Sequence, residues 1–231
     1  MPLLPPSRHF PPADDADSDG LLGFGGRLTP DWLLDAYAHG VFPWPSGDDS
    51  SPIPWWSPDP RAIIELDGLH VSHRLRRTCR SGRFAVTCDR DFRGVIRGCA
   101  SAPGRVGQTW LSPSMIAAYV RLFDLGHAHS VEAWHGGQLA GGTYGVAIGG
   151  LFAAESMFYR VSDASKVALV YLVHHLRARG YRLLDIQMLT DHTARLGAVE
   201  ISRHEYLQRL AEAISLPVTF GEHLEVDPER L

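Results

Sequence analysis

Three apolar runs separated only by glycine turns occupy the middle of this chain: Ser130–Trp134, Gln138–Ile148 and Leu151–Phe158. His135-Gly136-Gly137 joins the first two and Gly149-Gly150 leads into the third. Glycine reaches the positive φ of a tight hairpin without steric cost, so the spacing predicts consecutive antiparallel strands. A helical pattern follows, capped at Ser162 or Asp163, with Ala168, Leu169, Leu172, Val173 and Leu176 on its apolar face and Gly180 as its stop. Tyr181–Gln187 then reads as a strand, and Ser202 with Glu205 as the capping box of a last helix through Leu210. Hairpin strands, helix, strand, helix describe a mixed sheet of the α+β class.

Upstream the chemistry changes. Residues 1–20 are rich in Pro and Asp and are expected to lie loosely on the surface. Thr29-Pro30 marks a helix start and Gly40 its end, with Trp32, Leu33, Ala36 and Tyr37 on one face. From Phe42-Pro43-Trp44 to Pro54-Trp55-Trp56-Ser57-Pro58 so many prolines argue against a regular helix or a central strand. This places a boundary near Pro60-Arg61, between a small N-terminal domain (residues 1–60) and a second domain (residues 61–231). In the second, Ala62–Leu66 and Phe84–Cys88 suit strands, and Val71–Cys79 and Asp91–Cys99 suit helices. Ser112-Pro113 opens a helix that ends at Gly126, with Met115, Ala118, Tyr119 and Leu122 as its stripe.

Composition narrows the function. No run approaches the roughly 18 apolar residues of a membrane span, and the Pro-rich start lacks the apolar core of a secretion signal. Cys79, Cys88 and Cys99 are odd in number and without CxxC spacing, which fits reduced thiols in the cytoplasm. A net charge of −4 argues against a general polyanion binder. A local run remains: Arg74, Arg76, Arg77, Arg80 and Arg83 form either a solvated helix face or a contact for a nucleic-acid backbone. His127-Ala128-His129 and His70-x-x-His73 lack Cys or carboxylate partners at metal spacing, so no metal is expected. Ser156 has no Gly-x-Ser-x-Gly context, which disfavours a serine hydrolase.

The chemistry-bearing candidates lie on two strands. Glu155 stands among apolar and aromatic neighbours, and Asp185-Ile186-Gln187 places an acid and an amide at i and i+2, expected on one face. Read alone, Glu155 is either a ligand for a cationic amine or a buried carboxylate satisfied by backbone N–H groups. Asp185 is either part of a site or a cap on the following turn.

Taken in order, Phe42-Pro43-Trp44, Trp55-Trp56-Ser57-Pro58-Asp59-Pro60-Arg61, Thr109-Trp110, His127–Glu132, Gly141-Gly142-Thr143-Tyr144-Gly145, Glu155-Ser156-Met157-Phe158, Ala164-Ser165-Lys166 and Asp185-Ile186-Gln187 resemble the leucyl/phenylalanyl-tRNA–protein transferase family. The resemblance runs from about Gly20 to Leu210. It implies a small N-terminal domain and a GNAT-like (acyl-CoA N-acyltransferase-like) mixed-sheet domain. It also implies a cytoplasmic enzyme without metal or soluble cofactor. Such an enzyme moves Leu or Phe, and less well Met, from aminoacyl-tRNA to proteins beginning with Arg or Lys, marking them for degradation.

On that resemblance Asp185 and Gln187 handle the attacking amine and Glu155 holds an α-ammonium or the basic acceptor. Trp110, Phe152, Ser156, Met157, Leu169, Leu176 and Ile186 are expected around the substrate side chain, closed by Tyr37 and Trp44. Arg74, Arg76, Arg77, Arg80, Arg83, Ser165 and Lys166 are expected to meet tRNA. The ester is already activated and the amine has a reference pKa of about 8, so deprotonation near pH 7 costs only about 1.4 kcal/mol. Orientation can supply roughly 7–11 kcal/mol, so positioning is expected to dominate. Ala154, Ile186, Leu176 and Arg195 depart from the usual family residues and leave the balance between Leu and Phe open. Two rivals stand beside this reading: a coenzyme A-dependent N-acyltransferase, disfavoured by the missing pyrophosphate loop before Lys166, and a non-catalytic module that binds aminoacyl-tRNA or N-terminal arginine.

Overall fold

The computed structural model describes residues 4–45, 49–102 and 109–227. In chain order its elements are β1 (Leu21–Phe24), α1 (Pro30–Ala38), β2 (Phe42–Pro43), β3 (Pro54–Trp56), β4 (Arg61–Ile64), α2 (His73–Arg80), β5 (Ala85–Cys88), α3 (Phe92–Ala100) and α4 (Pro113–Asp124). They continue as β6 (Ala128–His135), β7 (Gln138–Ile148), β8 (Leu151–Tyr159), α5 (Ala164–Arg179), β9 (Leu183–Gln187), α6 (Asp191–Ala194), β10 (Ala198–Ile201) and α7 (Arg203–Ile214).

The glycine-linked runs form the meander their spacing implies. β6, β7 and β8 pair antiparallel through Gly136-Gly137 and Gly149-Gly150, and α5 then carries the chain back so that β9 pairs with β8 in parallel. The seven-stranded sheet has the order β10-β4-β9-β8-β7-β6-β5, and a separate three-stranded sheet has the order β1-β3-β2. The mixed α+β architecture expected from the order of patterns is therefore present. α5 is buried nearly all round, from Ala164 to Leu176, because it lies against the sheet and is covered by α2 and by the chain after α7. That last segment is latched by His175, whose Nε2 bonds the Phe220 carbonyl while its Nδ1 accepts from the Glu225 N–H. α3, α4 and α1 contribute a separate apolar cluster in which Leu33 and Tyr37 meet Met115, Tyr119 and Tyr144.

Several local expectations needed correction. β3 is the central strand of its sheet despite the surrounding prolines; Pro54 sits at its first position and pairs only with β1, while Trp55 and Trp56 pair with both neighbours. Residues near the N-terminus are docked rather than loose: Asp35 accepts from Ser7 Oγ and the Arg8 and His9 N–H groups, and His9 stacks on Trp32 at 4.2 Å. Asp163 occupies the position before α5 in a left-handed conformation and makes no capping bond. Ser202 Oγ accepts from Glu205 N, but the Glu205 carboxylate is held by Arg209 one turn on, so only half of the capping box forms. β1, β2, β3, α6 and β10 carried too little pattern to be anticipated.

Gly98 on α3 shows how tightly these layers meet: a Cβ there would lie 2.5 Å from the ring of Phe158 on β8. Alanine is the better helix former by about 1 kcal/mol, yet overpacking of this kind costs about 1–3 kcal/mol. Gly98→Ala is therefore expected to lower the urea midpoint, and Phe158→Leu in the same chain to restore part of it. A Gly98→Ala protein as stable as the parent would show that the ring has room to move.

Candidate functional site

Pairing between β8 and β9 covers only Leu151↔Leu183, Phe152↔Leu184 and Ala153↔Asp185. Beyond these residues the strands separate, and a cavity of about 430 Å³ opens in the gap. Within β8 the register with β7 jumps: Tyr144 faces Ser156 and Gly145 faces Ala154, so Glu155 is an extra residue. A bulge of this kind bends a strand and re-aims its side chain, and here the carboxyl enters the end of the cavity.

Two tyrosines from different helices hold that carboxyl. Tyr37 OH on α1 lies 2.7 Å from Glu155 Oε1, Tyr119 OH on α4 lies 2.9 Å from Oε2, and the two hydroxyls are 2.6 Å apart. Three oxygen–oxygen contacts need three protons, and the hydroxyls bring two. With an ionised carboxylate both hydroxyls donate to it and their mutual contact has no proton; a proton on Glu155 closes the ring. Electrostatics agree. Burial raises Glu155 from the ordinary 4.5 to about 7, opposed by the tyrosine bonds, with Asp185 pushing upward and Arg61 downward. The residue as a whole is half-buried, since it borders the cavity, while its carboxyl group is the desolvated part. Burial, then the nearby Glu155, keep both tyrosines well above 10, as neutral donors.

Gln187 ends β9 at a φ of +61°, in the left-handed region that non-glycine residues seldom enter. The amide position nearest Glu155 lies 3.3 Å from its Oε1. The other amide position faces the Ile186 and Ala154 carbonyls, so the orientation that satisfies both places Nε2 there, at 2.9 and 3.0 Å. Oε1 then faces Glu155. The two oxygens then lie 3.3 Å apart, close enough for one N–H group beside them to be shared by both.

Asp185 does not share that surface. It is fully buried and does not line the cavity. The expectation that it projects beside Gln187 fails because the strand geometry ends there: at Gln187 the chain twists out of extended conformation, and the pairing with β4 shifts register between Ala62 and Ile63. Asp185 Oδ1 accepts from Arg61 Nε and the Gln187 N–H, both at 2.9 Å; Oδ2 accepts from Arg61 Nη2 at 2.7 Å and Tyr206 OH at 3.0 Å. The reading of this residue as a cap on the following turn matches the bond to Gln187.

The cavity wall includes Trp44, Trp110, Ser156, Met157, Leu169 and Ile186 from the expected set, and Ser165 at the start of α5. Phe152 and Leu176 are not there. Phe152 turns into the core, its ring over Gly145, where a Cβ would be 2.5 Å from it, and against Phe220. Leu176 is fully buried in the same cluster, three turns further along α5 than Ser165. Tyr37 does not line the cavity and reaches the site through its hydroxyl. Arg74, Arg76, Arg77, Arg80 and Arg83 are exposed on and just after α2. Arg74 and Lys166 both approach Asp163, at 3.7 and 3.6 Å, so the basic face borders the first turn of α5. Among the described residues no cluster of three or more His, Cys, Asp or Glu is placed to hold a metal ion, and no helix is long and apolar enough to cross a membrane.

Sequence reading missed Arg61, Tyr119 and Tyr206, along with Phe42, Thr143 and His192 of the wall. Arg61 had a signal: a cation opening the buried strand Arg61–Ile64 requires a buried anion, and Asp185 lies in an equally apolar strand. Tyr119 had none, since its position in an apolar stripe hides the hydroxyl.

Comparison with known proteins adds an independent line. The family model described as "Leucyl/phenylalanyl-tRNA protein transferase" matches residues 63–211, and that of its N-terminal domain matches residues 26–59. A protein of Nitratidesulfovibrio vulgaris (strain DP4) named leucyl/phenylalanyl-tRNA–protein transferase is 53% identical over 214 residues, covering 92% of this chain and 90% of its own. One of the same name from Anaeromyxobacter sp. (strain Fw109-5) is 54% identical over 220 residues, covering 94% and 92%. Among solved structures, L-PGS from Bacillus licheniformis aligns at TM-score 0.40 and 12% identity over 80% of this chain and 70% of its own. A GCN5-related N-acetyltransferase-like protein from Streptococcus suis aligns at TM-score 0.34 and 14% identity over 74% and 64%.

The raised pKa of Glu155 has a thermodynamic signature. The folded chain retains a proton up to about pH 7 that an exposed glutamate releases near 4.5. Its contribution to stability is therefore present in full below about pH 4.5 and gone once the pH has risen through about 7. Glu155→Gln, which is neutral throughout, is expected to match the parent in urea midpoint at the acid end and to exceed it increasingly up to neutrality. A difference that does not change with pH would exclude the raised pKa.

Proposed function

Because the chain belongs to the leucyl/phenylalanyl-tRNA–protein transferase family, we propose that it transfers Leu or Phe, and less well Met, from aminoacyl-tRNA to the N-terminal amine of proteins that begin with Arg or Lys, in the cytoplasm. The observation that carries the reading is the apolar cavity with Gln187 Oε1 and the Glu155 carboxyl converging at one end. Ile64, Met157, Leu169 and Ile186 offer an apolar bed for the donor side chain. Met157 adapts its shape readily. At the polar end two oxygens await N–H donors, which suits an amine. Gln187 is a neutral amide and a poor proton acceptor; it accepts a hydrogen bond from the amine and orients it. Glu155, with a pKa of about 7, is the group suited to hold the proton that the amine gives up. Asp185 acts without touching the amine, since all its acceptor positions are taken. The exposed arginines of α2, with Lys166 beside them, give a face for the tRNA backbone next to the cavity.

The test is a transfer assay with labelled Leu-tRNA or Phe-tRNA and peptides that start with Arg, Lys or Ala. Label is expected in the Arg and Lys peptides only. Gln187→Ala is expected to lower kcat by about 100-fold, as misplacement of a reacting group does, and replacement of Arg76 and Arg80 by Ala to raise KM for tRNA and flatten its salt dependence. Retention of Phe-tRNA without peptide-bond formation would make this a binding module, and tight binding of acetyl-coenzyme A would favour an acyl-coenzyme A enzyme.

A further inference from the structure

Arg61 is 1% exposed and does not line the cavity, yet it touches β9, which carries Gln187, β2, which carries Phe42, and the turn that follows α1. Nε and Nη2 grip Asp185 at 2.9 and 2.7 Å, and Nη1 donates to the Gly40 carbonyl at 3.1 Å, just past α1. Its guanidinium carbon lies over the rings of Phe42 and Tyr206, at 4.7 and 4.4 Å from their centroids. Phe42 is itself a wall of the cavity. Burial is the largest single effect and disfavours the charge, but the charge and hydrogen bonds of Asp185, with Tyr206 and Glu155, together outweigh it and keep the group cationic.

The geometry beneath Gln187 is the informative part. Asp185 has room for about four hydrogen bonds and receives four, three from Arg61 and Tyr206 and one from the Gln187 backbone. None is left for the Gln187 side chain or a substrate amine. What Asp185 can do is hold the Gln187 N–H, and with it a backbone that stands in the left-handed region. Arg61 in turn fixes both oxygens of Asp185, as a planar fork can and a single ammonium cannot.

We propose that Arg61 is a positioning residue for the transfer reaction: through the bidentate pair with Asp185 it fixes the Gln187 backbone and so aims the Gln187 side-chain oxygen at the amine. The proposal rests on the transferase reading above. It assigns Asp185 a geometric task, as an acceptor for one N–H, in place of an electronic effect on the Gln187 amide.

Kinetics of Arg61→Lys, Asp185→Asn and Asp185→Ala test it, each variant first shown to melt cooperatively with parental circular dichroism. Arg61→Lys is expected to lower kcat by about tenfold or more, with KM for aminoacyl-tRNA within about threefold of the parent, because the cavity wall is intact. Asp185→Asn keeps an acceptor for the Gln187 N–H and is expected to retain at least about tenfold more of kcat than Asp185→Ala. Parental kcat in Arg61→Lys, equal losses in the two Asp185 variants, or a loss lying wholly in KM would each overturn the proposal. If any variant does not fold, hydrogen exchange of the parent protein decides. Protection of the Gln187 amide on the scale of the β9 amides supports the assignment, and exchange at the rate of an exposed amide refutes it. A parent that transfers neither Leu nor Phe would fail the transferase reading, while the exchange result would still report on the geometry.

Discussion

One ion pair, Arg61 with Asp185, locks two strands of the larger sheet together beside the cavity, and its guanidinium lies against the Phe42 ring of the smaller sheet. Neither residue sees solvent. A buried pair of this kind adds little net stability, but removing one member strands the other and costs about 3–5 kcal/mol. That is a large part of the 5–15 kcal/mol that holds a typical domain together. The pair is better understood through what it orders. Asp185 belongs to β9 and Arg61 to β4, and the guanidinium reaches the carbonyl that follows α1 and the ring that forms the chamber wall. Elements that border the cavity therefore meet at a charge that does not itself reach the cavity.

A second network converges on the same place. Tyr37 and Tyr119 arrive from α1 and α4, and together they desolvate the Glu155 carboxyl and satisfy it. The result is an acid near neutrality in an apolar setting, obtained without a neighbouring cation in direct contact. The tyrosines stay neutral, so they can donate or relay but not accept a charge at working pH. Such a group suits chemistry in which an amine of similar affinity for protons must lose one.

The sequence made the central meander, α5 and the apolar stripes of α1 and α4 legible, because glycine turns and helical periodicity are local properties. It also brought out Glu155, Gln187 and part of the cavity wall, since a carboxylate in a hydrophobic strand is conspicuous. What it concealed depends on geometry between distant segments. Asp185 and Gln187 look equivalent at i and i+2, and only the left-handed turn at Gln187 separates them, burying one and presenting the other. Phe152 and Leu176 read like chamber residues by composition, and their direction follows from Gly145 and from the helix phase. Arg61 stood at the end of a proline-rich motif, and its partner lies 124 residues away in the chain.

The parting of β8 and β9 leaves backbone groups facing each other across a gap too wide for the ladder. The Gln187 amide nitrogen spans it, donating to Ala154 of one strand and to its own neighbour Ile186. One side chain thus stitches the torn seam with its nitrogen and greets the visitor with its oxygen. A carboxylate in its place would keep the second capacity and forfeit the first, letting the slit gape. The aperture is gauged by the length of a glutamine.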